Sequence, residues 1–501
     1  MKKLMIYFAL AGSMLFANSC ADLDQDPQSF LTTKEFFETA TTSDIGLFVD
    51  GLYNSMWNGN YGLNCRLMRI NEGADDLDIS PTKLNNVLSY IKELTPNPTS
   101  NNDDFATPWT LFYKVIYDAN MCIQYTNVDT SDADTRKAMV GEAYFMRALS
   151  YFHLVRLFGD VPFYLDNDES YDRMPRTAVA EVYDNGIVPD LLKAIELLPA
   201  TSRSGNSSRP SKWAAKACLA DVYLTMAGWP LKKGQEYYSK SAEVSLDIIN
   251  NSSLSLTATY PDLWKESLKT QANEHMFAIH NSVAGSMASQ YGKSFYPADF
   301  YPNAGWSDYY ANEAFMLKYP EGERKEWNYM TEWEVKKTDE NKETIIVNVN
   351  YKESQDGVPA ISKYYNYDNG NPGASAQSNG LTPFYRYADV LLMYAEASNL
   401  ATNTVNPVAL KCLQDVQNRA KSSEVTTTTN SQEFDTAVFA ERGWEFLAEF
   451  KRWYDLVRRE KLPEVKPTQW VSSVYRANNH YYLPVPYKQV ELTGWTNNAG
   501  Y

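Results

Sequence analysis

Apolar residues recur at intervals of three and four over much of the chain, the spacing that lines one face of an α-helix. Ile45, Phe48, Val49 and Leu52 open the pattern, which predicts a helix over Asp44–Met56. Further helices are expected at Trp109–Tyr125, Thr135–Phe158, Ala178–Leu198, Ser211–Met226 and Gln235–Ile249, and later at Arg386–Asn399, Pro407–Arg419 and Phe434–Arg459. They come as neighbours joined by turns, as in helical repeats. Ala119 with Ile123, Ala242 with Leu246 and Ile249, and Ala409 with Leu413 and Val416 share a small-then-large spacing. That spacing resembles the contact pattern of tetratricopeptide repeats, although any amphipathic helix places residues three and four apart. The expected fold is mainly α, a tetratricopeptide-like helical core.

Between about Ser282 and Pro383 the helical period fades. Ile345, Val347, Val349 and Tyr351 alternate with neighbours of the other face, which predicts a short strand. Gly, Asn and Ser around Asn369–Gly380 mark a loop. Within Tyr291–Tyr310 stand eight aromatic residues in twenty: Tyr291, Phe295, Tyr296, Phe300, Tyr301, Trp306, Tyr309 and Tyr310. So many exposed rings would invite aggregation. The stretch therefore reads either as a satellite core packed on the helices or as a stacking platform for a ligand.

The first residues alter the picture of location. Lys2 and Lys3 precede an apolar run from Leu4 to Phe16, too short for a membrane span and suited to a secretory signal. Ala17-Asn18-Ser19 offers small cleavage residues before Cys20, as in lipoprotein signals. An Ala-x-Ser site also suits an ordinary secretory peptidase. The expectation is a signal over 1–19, lipidation at Cys20, and an acidic tether, Ala21 to Asp26, holding the protein at a membrane without crossing it. The formal charge of −16 becomes −18 once Lys2 and Lys3 leave with the signal. Such a surface repels phosphate backbones and argues against nucleic acid. Cys65, Cys122, Cys218 and Cys412 show no C-x-x-C spacing; buried free thiols are expected.

Familiar catalytic patterns are missing. There is no His-Glu-x-x-His, and the chain has only four His, thin provision for zinc. Tyr291-Gly292-Lys293-Ser294 ends like a phosphate-binding loop, but Met287 stands where its first glycine belongs. No Gly-x-Ser-x-Gly elbow occurs. Glu72, Asp75, Asp76 and Asp78 offer carboxylates for a glycosidase, which needs two of them at a set separation, and they lack the regular spacing of a calcium loop. No cofactor, metal or catalytic residue is assigned.

Several strings resemble one family, the RagB/SusD-like nutrient-binding outer-membrane lipoproteins. Gly141-Glu142-Ala143-Tyr144-Phe145-Met146-Arg147-Ala148, continuing to Leu157-Phe158-Gly159-Asp160-Val161-Pro162, is similar to one of its helices. Arg386-Tyr387-Ala388-Asp389 through Ala395-Glu396-Ala397, Glu441-Arg442 with Glu445-Phe446, and Arg452-Trp453-Tyr454-Asp455-Leu456 match later signatures, as do Leu483-Pro484-Val485-Pro486 and Asn498-Ala499-Gly500-Tyr501. One departure is Glu449-Phe450, where Glu-Gly is usual. The resemblance implies an N-terminal helical-repeat region over 20–281, an irregular aromatic-rich insertion over 282–383, and C-terminal helices over 384–501. It also implies a SusC-like TonB-dependent transporter as partner, a lid-like position at the cell surface, and an oligosaccharide ligand. Arg147, Glu396, Arg442 and Asp455 of these motifs are expected to form ion pairs between packed helices, because buried charge is tolerated when paired.

Sugars are held by aromatic stacking and by hydrogen bonds to hydroxyls. The candidate contacts are Tyr296, Tyr301, Trp306 and Tyr309, with Trp109 from the early helices and Arg66, Asn71 and Asp75 from the loop after the first helix. Peptide capture by the same kind of lipoprotein is the alternative, and glycoside hydrolysis a more distant one.

Overall fold

The computed structural model describes residues 33–57, 67, 70–71, 73–79, 91–96, 103–167, 174–285, 287–289, 291–302, 304–364 and 378–501. The signal, Cys20, the acidic tether, Cys65, Arg66, Glu72 and most of the Asn369–Gly380 loop lie outside them.

The main helices are α1 Thr42–Trp57, α2 Asp103–Tyr125, α3 Ala133–Phe158, α4 Val188–Leu197, α5 Lys212–Ala227, α6 Gln235–Asn251, α7 Tyr387–Thr402, α8 Pro407–Arg419, α9 Ser431–Glu445 and α10 Arg452–Arg458. Each of α1 to α8 packs on the next in this order, so the stack runs unbroken from α6 to α7 across the whole irregular middle. Polar residues set the ends. Ser211, Asn406 and Asn430 accept hydrogen bonds from the first free backbone N–H groups of α5, α8 and α9, which removes part of the cost of an open helix start. Helix α3 is the axis: buried residues occur on nearly all its sides, from Met139 and Phe145 to Phe152 and Phe158. It ends at Gly159 with φ +74°, where a Cβ would press into the Tyr482 ring at 2.9 Å, so the Phe-Gly step of the motif needs glycine twice over.

Two predicted helices are interrupted. Ala178–Leu198 is a short turn of helix, a π-helical turn at Tyr183–Ile187, and then α4. Pro189 opens α4 and has no N–H to give, and the wider turn carries the chain across that gap. Phe434–Arg459 divides into α9 and α10 because Ala448 and Phe450 adopt left-handed conformations, φ +57° and +48°. Phe450 thus stands in backbone geometry that favours glycine, which accounts for the usual Glu-Gly pair at this place.

The strands are short and paired, and those of three residues or more are β1 Leu77–Ile79, β2 His275–His280, β3 Tyr309–Ala311, β4 Glu332–Thr338, β5 Thr344–Asn350 and β6 Leu381–Arg386. β2 and β6 are antiparallel and bracket the irregular middle. β4 and β5 form a hairpin, the latter being the predicted strand. β1 pairs with β3, Leu77 opposite Ala311 and Ile79 opposite Tyr309.

The motif charges are buried and paired. Arg147 binds Asp190 through two hydrogen bonds of 2.7 Å. Arg442 binds Asp455, and Arg458 binds both Asp455 and Glu396. Beside them, Arg386 joins Glu274, Glu445 and Glu449, Arg419 joins Glu274 and Glu445, Arg324 joins Glu441 and Glu445, and Lys363 joins Glu449. In that second network four cations meet four carboxylates, so the interior carries no net charge from them. Burial pushes the Glu445 carboxyl up, but Arg419, Arg386 and Arg324 outweigh it and hold it at about 2. Cys122, Cys218 and Cys412 are buried free thiols.

Candidate functional site

The β1–β3 ladder joins two segments that are far apart in the chain, the acidic loop after α1 and the aromatic stretch before Tyr310. The sequence offered candidate ligand contacts in both.

The aromatic stretch is divided. Tyr296, Phe300 and Tyr310 pack with Trp333, Val335, Val349 and Tyr351 in a satellite core on the β4–β5 hairpin. Phe300 bridges to Val335, and Tyr301 donates its N–H to the Glu334 carbonyl at 2.8 Å. Polar bonds pin the rest: the Trp333 indole N–H donates to Asp299 at 2.9 Å, and the Ser307 hydroxyl accepts from the Ala298 N–H at 2.7 Å. At Gly305 the chain folds back so tightly that a Cβ would sit 2.0 Å from the Tyr296 carbonyl oxygen. This lobe leaves Tyr301 and Trp306 partly exposed. The Lys336 ammonium lies 5.1 Å from the Tyr301 ring centre and that of Lys293 lies 5.9 Å from the Trp306 ring, within cation–π reach.

Three proposed stacking residues are core side chains instead. Trp109 is fully buried against Tyr113, Phe158 and Trp495. Tyr296 and Tyr309 are buried as well, Tyr309 against Phe295. Apolar neighbours that gain by excluding water fill their ring faces, so direct stacking on these three is corrected to packing.

The acidic loop is a clasp. Asn71 is buried; its amide N–H donates to Asp76 at 3.0 Å and its carbonyl oxygen accepts from the Trp453 N–H at 3.0 Å. Asp75 takes two hydrogen bonds from Arg452, at 2.7 and 3.0 Å. Asp76 is fully buried, and burial first, then the charge of Asp75, pushes its carboxyl up to about 7. These contacts pin the loop to the first residues of α10. The motif Arg452-Trp453 was legible in the sequence, but its partner 377 positions away was not.

Beyond the clasp a cleft of about 690 Å³ opens between the acidic loop, the segment Asn312–Lys318, α9 and the short helices near Lys466. Among the described residues no group of three or more His, Cys, Asp or Glu could hold a metal ion, and no described helix is long and apolar enough to cross a membrane.

Comparison with known proteins decides the family. Residues 29–224 match the family described as "Starch-binding associating with outer membrane", and residues 325–501 match the SusD family. The chain belongs to the SusD/RagB family. "SusD-like protein P2" of Formosa agariphila is 28% identical over 532 residues, covering 100% of both chains. A SusD superfamily protein from Parabacteroides distasonis has the same fold at a TM-score of 0.78 and 25% identity, over 94% of this chain and 100% of the other. Surface glycan-binding protein A from Bacteroides thetaiotaomicron, solved in complex with laminarihexaose, aligns at a TM-score of 0.72 and 18% identity, over 92% of this chain and 100% of that one. This SusD-like chain thus carries the family's mainly helical fold, with the aromatic lobe and the clasp set against it.

Proposed function

We propose that this SusD-like protein captures oligosaccharides at the cell surface and passes them to a TonB-dependent transporter of the outer membrane, without altering them chemically. The observation that carries the reading is the pair Tyr301 and Trp306, left partly exposed on a stretch where Phe295, Tyr296, Phe300, Tyr309 and Tyr310 are buried. A rigid loop bearing two accessible rings suits a sugar: stacking needs a flat apolar face, and a fixed platform loses little entropy on binding. The laminarihexaose complex of the Bacteroides thetaiotaomicron relative supports a glycan as ligand. A non-catalytic role is supported by the fate of the nominated carboxylates, since Asp75 is held by Arg452 and Asp76 has no exposed surface. Lipidation at Cys20 would tether the binder beside its transporter.

Affinity electrophoresis against laminarin and a panel of neutral glycans, with a peptide panel beside it, tests the reading. A glycan should retard the protein, and Trp306→Ala should weaken that retention by about tenfold, the loss expected for one stacking ring. Retention by peptides alone, or release of reducing ends from a retained glycan, would overturn it.

A further inference from the structure

The 690 Å³ cleft beyond the clasp lies apart from the Tyr301–Trp306 loop, and its lining contains neither residue. Its size falls within the range of small-ligand sites. The charges in its wall are already matched. Arg452 holds Asp75 at 2.7 Å, Lys92 holds Asp78, and Lys461 holds Glu464 at 2.6 Å. Lys466 is buried, and its ammonium donates to the Lys92 carbonyl at 3.1 Å. An ionic ligand would have to compete for one of these cations or carboxylates and leave its old partner uncompensated. A neutral ligand need not. Asp75, Asp78, Lys92 and Lys461 are partly exposed, so their remaining lone pairs and N–H groups can bond uncharged hydroxyls without breaking a pair.

The apolar part of the wall is one face of α9. Thr436, Phe439, Ala440 and Trp444 line the cleft from it at intervals of three and four. The Arg452 guanidinium lies 4.6 Å from the Phe439 ring centre and 5.6 Å from that of Phe315, which ties this wall to the clasp. The Trp444 ring packs on that of Tyr319, centres 5.9 Å apart, and the Tyr319 hydroxyl donates to the Trp444 carbonyl at 2.7 Å. The indole is thus held in place while part of it stays exposed. Asn312 and Gln469 add amides to the lining. A sugar ring has the matching division, an apolar C–H face to stack on an indole and a rim of hydroxyls for polar groups. We infer that the cleft is a second binding site, for a neutral oligosaccharide, with one sugar ring against Trp444 and hydroxyls on the paired charges of the wall. The inference stands on this cleft and not on the loop platform, so either can fail alone.

Fluorine NMR of the full chain labelled with fluorotryptophan tests it, because Trp444 and Trp306 then report on the cleft and the loop separately. Each resonance is assigned by its absence from the Trp444→Phe or Trp306→Phe variant. The probes are laminarihexaose, cellohexaose and maltohexaose. At least one should move the Trp444 resonance, and about 0.5 M salt should change that affinity less than about twofold. Thr436→Arg, a change at an exposed position of the lining, should weaken the binding read at Trp444 by about tenfold, whereas Trp306→Phe should change it less than about twofold. A Trp444 resonance that no probe moves would overturn the site, whatever Trp306 does. A response unchanged by Thr436→Arg, or abolished by Trp306→Phe, would overturn it too, by placing the sugar elsewhere. Tetragalacturonate that binds at Trp444 as tightly as the best neutral probe would overturn the assignment to neutral sugars.

Discussion

The C-terminal helices and the aromatic lobe break the same rule in opposite ways. Around α7, α9 and α10 the protein takes charge inside: Arg386, Glu274, Glu445 and Glu449 have no exposed surface. Around residues 291–310 it leaves rings outside, at Tyr301 and Trp306. The first inversion is complete and balanced, every cation with a carboxylate, and its effect is to fix how the helices sit. The second is partial: most rings of the stretch build a core, and two are held at its rim. Buried charge in this molecule is scaffold, and exposed aromatic surface is where function is sought.

The sharpest way to break the comparison is at its charged pole. Arg386→Ala strips three carboxylates of a shared cation and should cost about 4 kcal/mol, since breaking a buried pair leaves uncompensated charge. Denaturant unfolding followed by circular dichroism would measure it, and a loss below about 1 kcal/mol would contradict a scaffold role. Next comes the lobe. Trp333→Ala, which removes a buried ring of the satellite core, should cost about 3 kcal/mol. Trp306→Ala should cost less than about 1 kcal/mol, because the partly exposed ring gives up less apolar burial. Equal losses in melting experiments would mean that the rim is core after all.

The smallest effect concerns pH, and it separates the paired carboxylates from the clasp. Glu396, Glu445 and Glu449 are held at about 2, below their ordinary 4.5, by surrounding guanidinium groups that outweigh burial. Their stabilisation is present above about pH 4.5 and is lost as pH falls toward 2. Asp76 has the opposite sign. Its folded carboxyl is raised from 3.8 to about 7, so the folded state holds the proton that the unfolded chain has released, and stability declines as pH rises from about 4 to 7. Asp76→Asn should flatten that decline and leave the acid limb unchanged in a series of melting temperatures against pH. A variant that melts in parallel with the parent throughout would remove Asp76 from the account.

Much of the helical stack could be read from spacing, because a helix that buries one face repeats that face in its sequence. α3 was legible in extent but not in role, since a helix buried all round loses the contrast between faces. The breaks at Tyr183 and Phe450 were not legible. Phe450 is apolar and continues the helical pattern, and only its left-handed backbone betrays the turn. The ion pairs at Arg147, Arg442 and Asp455 could be anticipated because charge on an apolar face requires a partner, although which partner depends on tertiary packing. In the aromatic stretch residue type pointed to the region and could not sort core from rim. Tyr296 and Tyr301 look alike in sequence, and the return of the chain at Gly305 helps decide which is covered.

The clasp has a consequence for the order of assembly. Asn71 meets Trp453, 382 positions later, and Asp76 meets Ala448, 372 positions later. Contacts between such distant positions close very long loops and form late, after local helices have shortened the path between their ends. A nascent chain must therefore deliver nearly its whole length before the loop carrying Asp75 is pinned. The cleft beside that loop is among the last parts of the molecule to take shape.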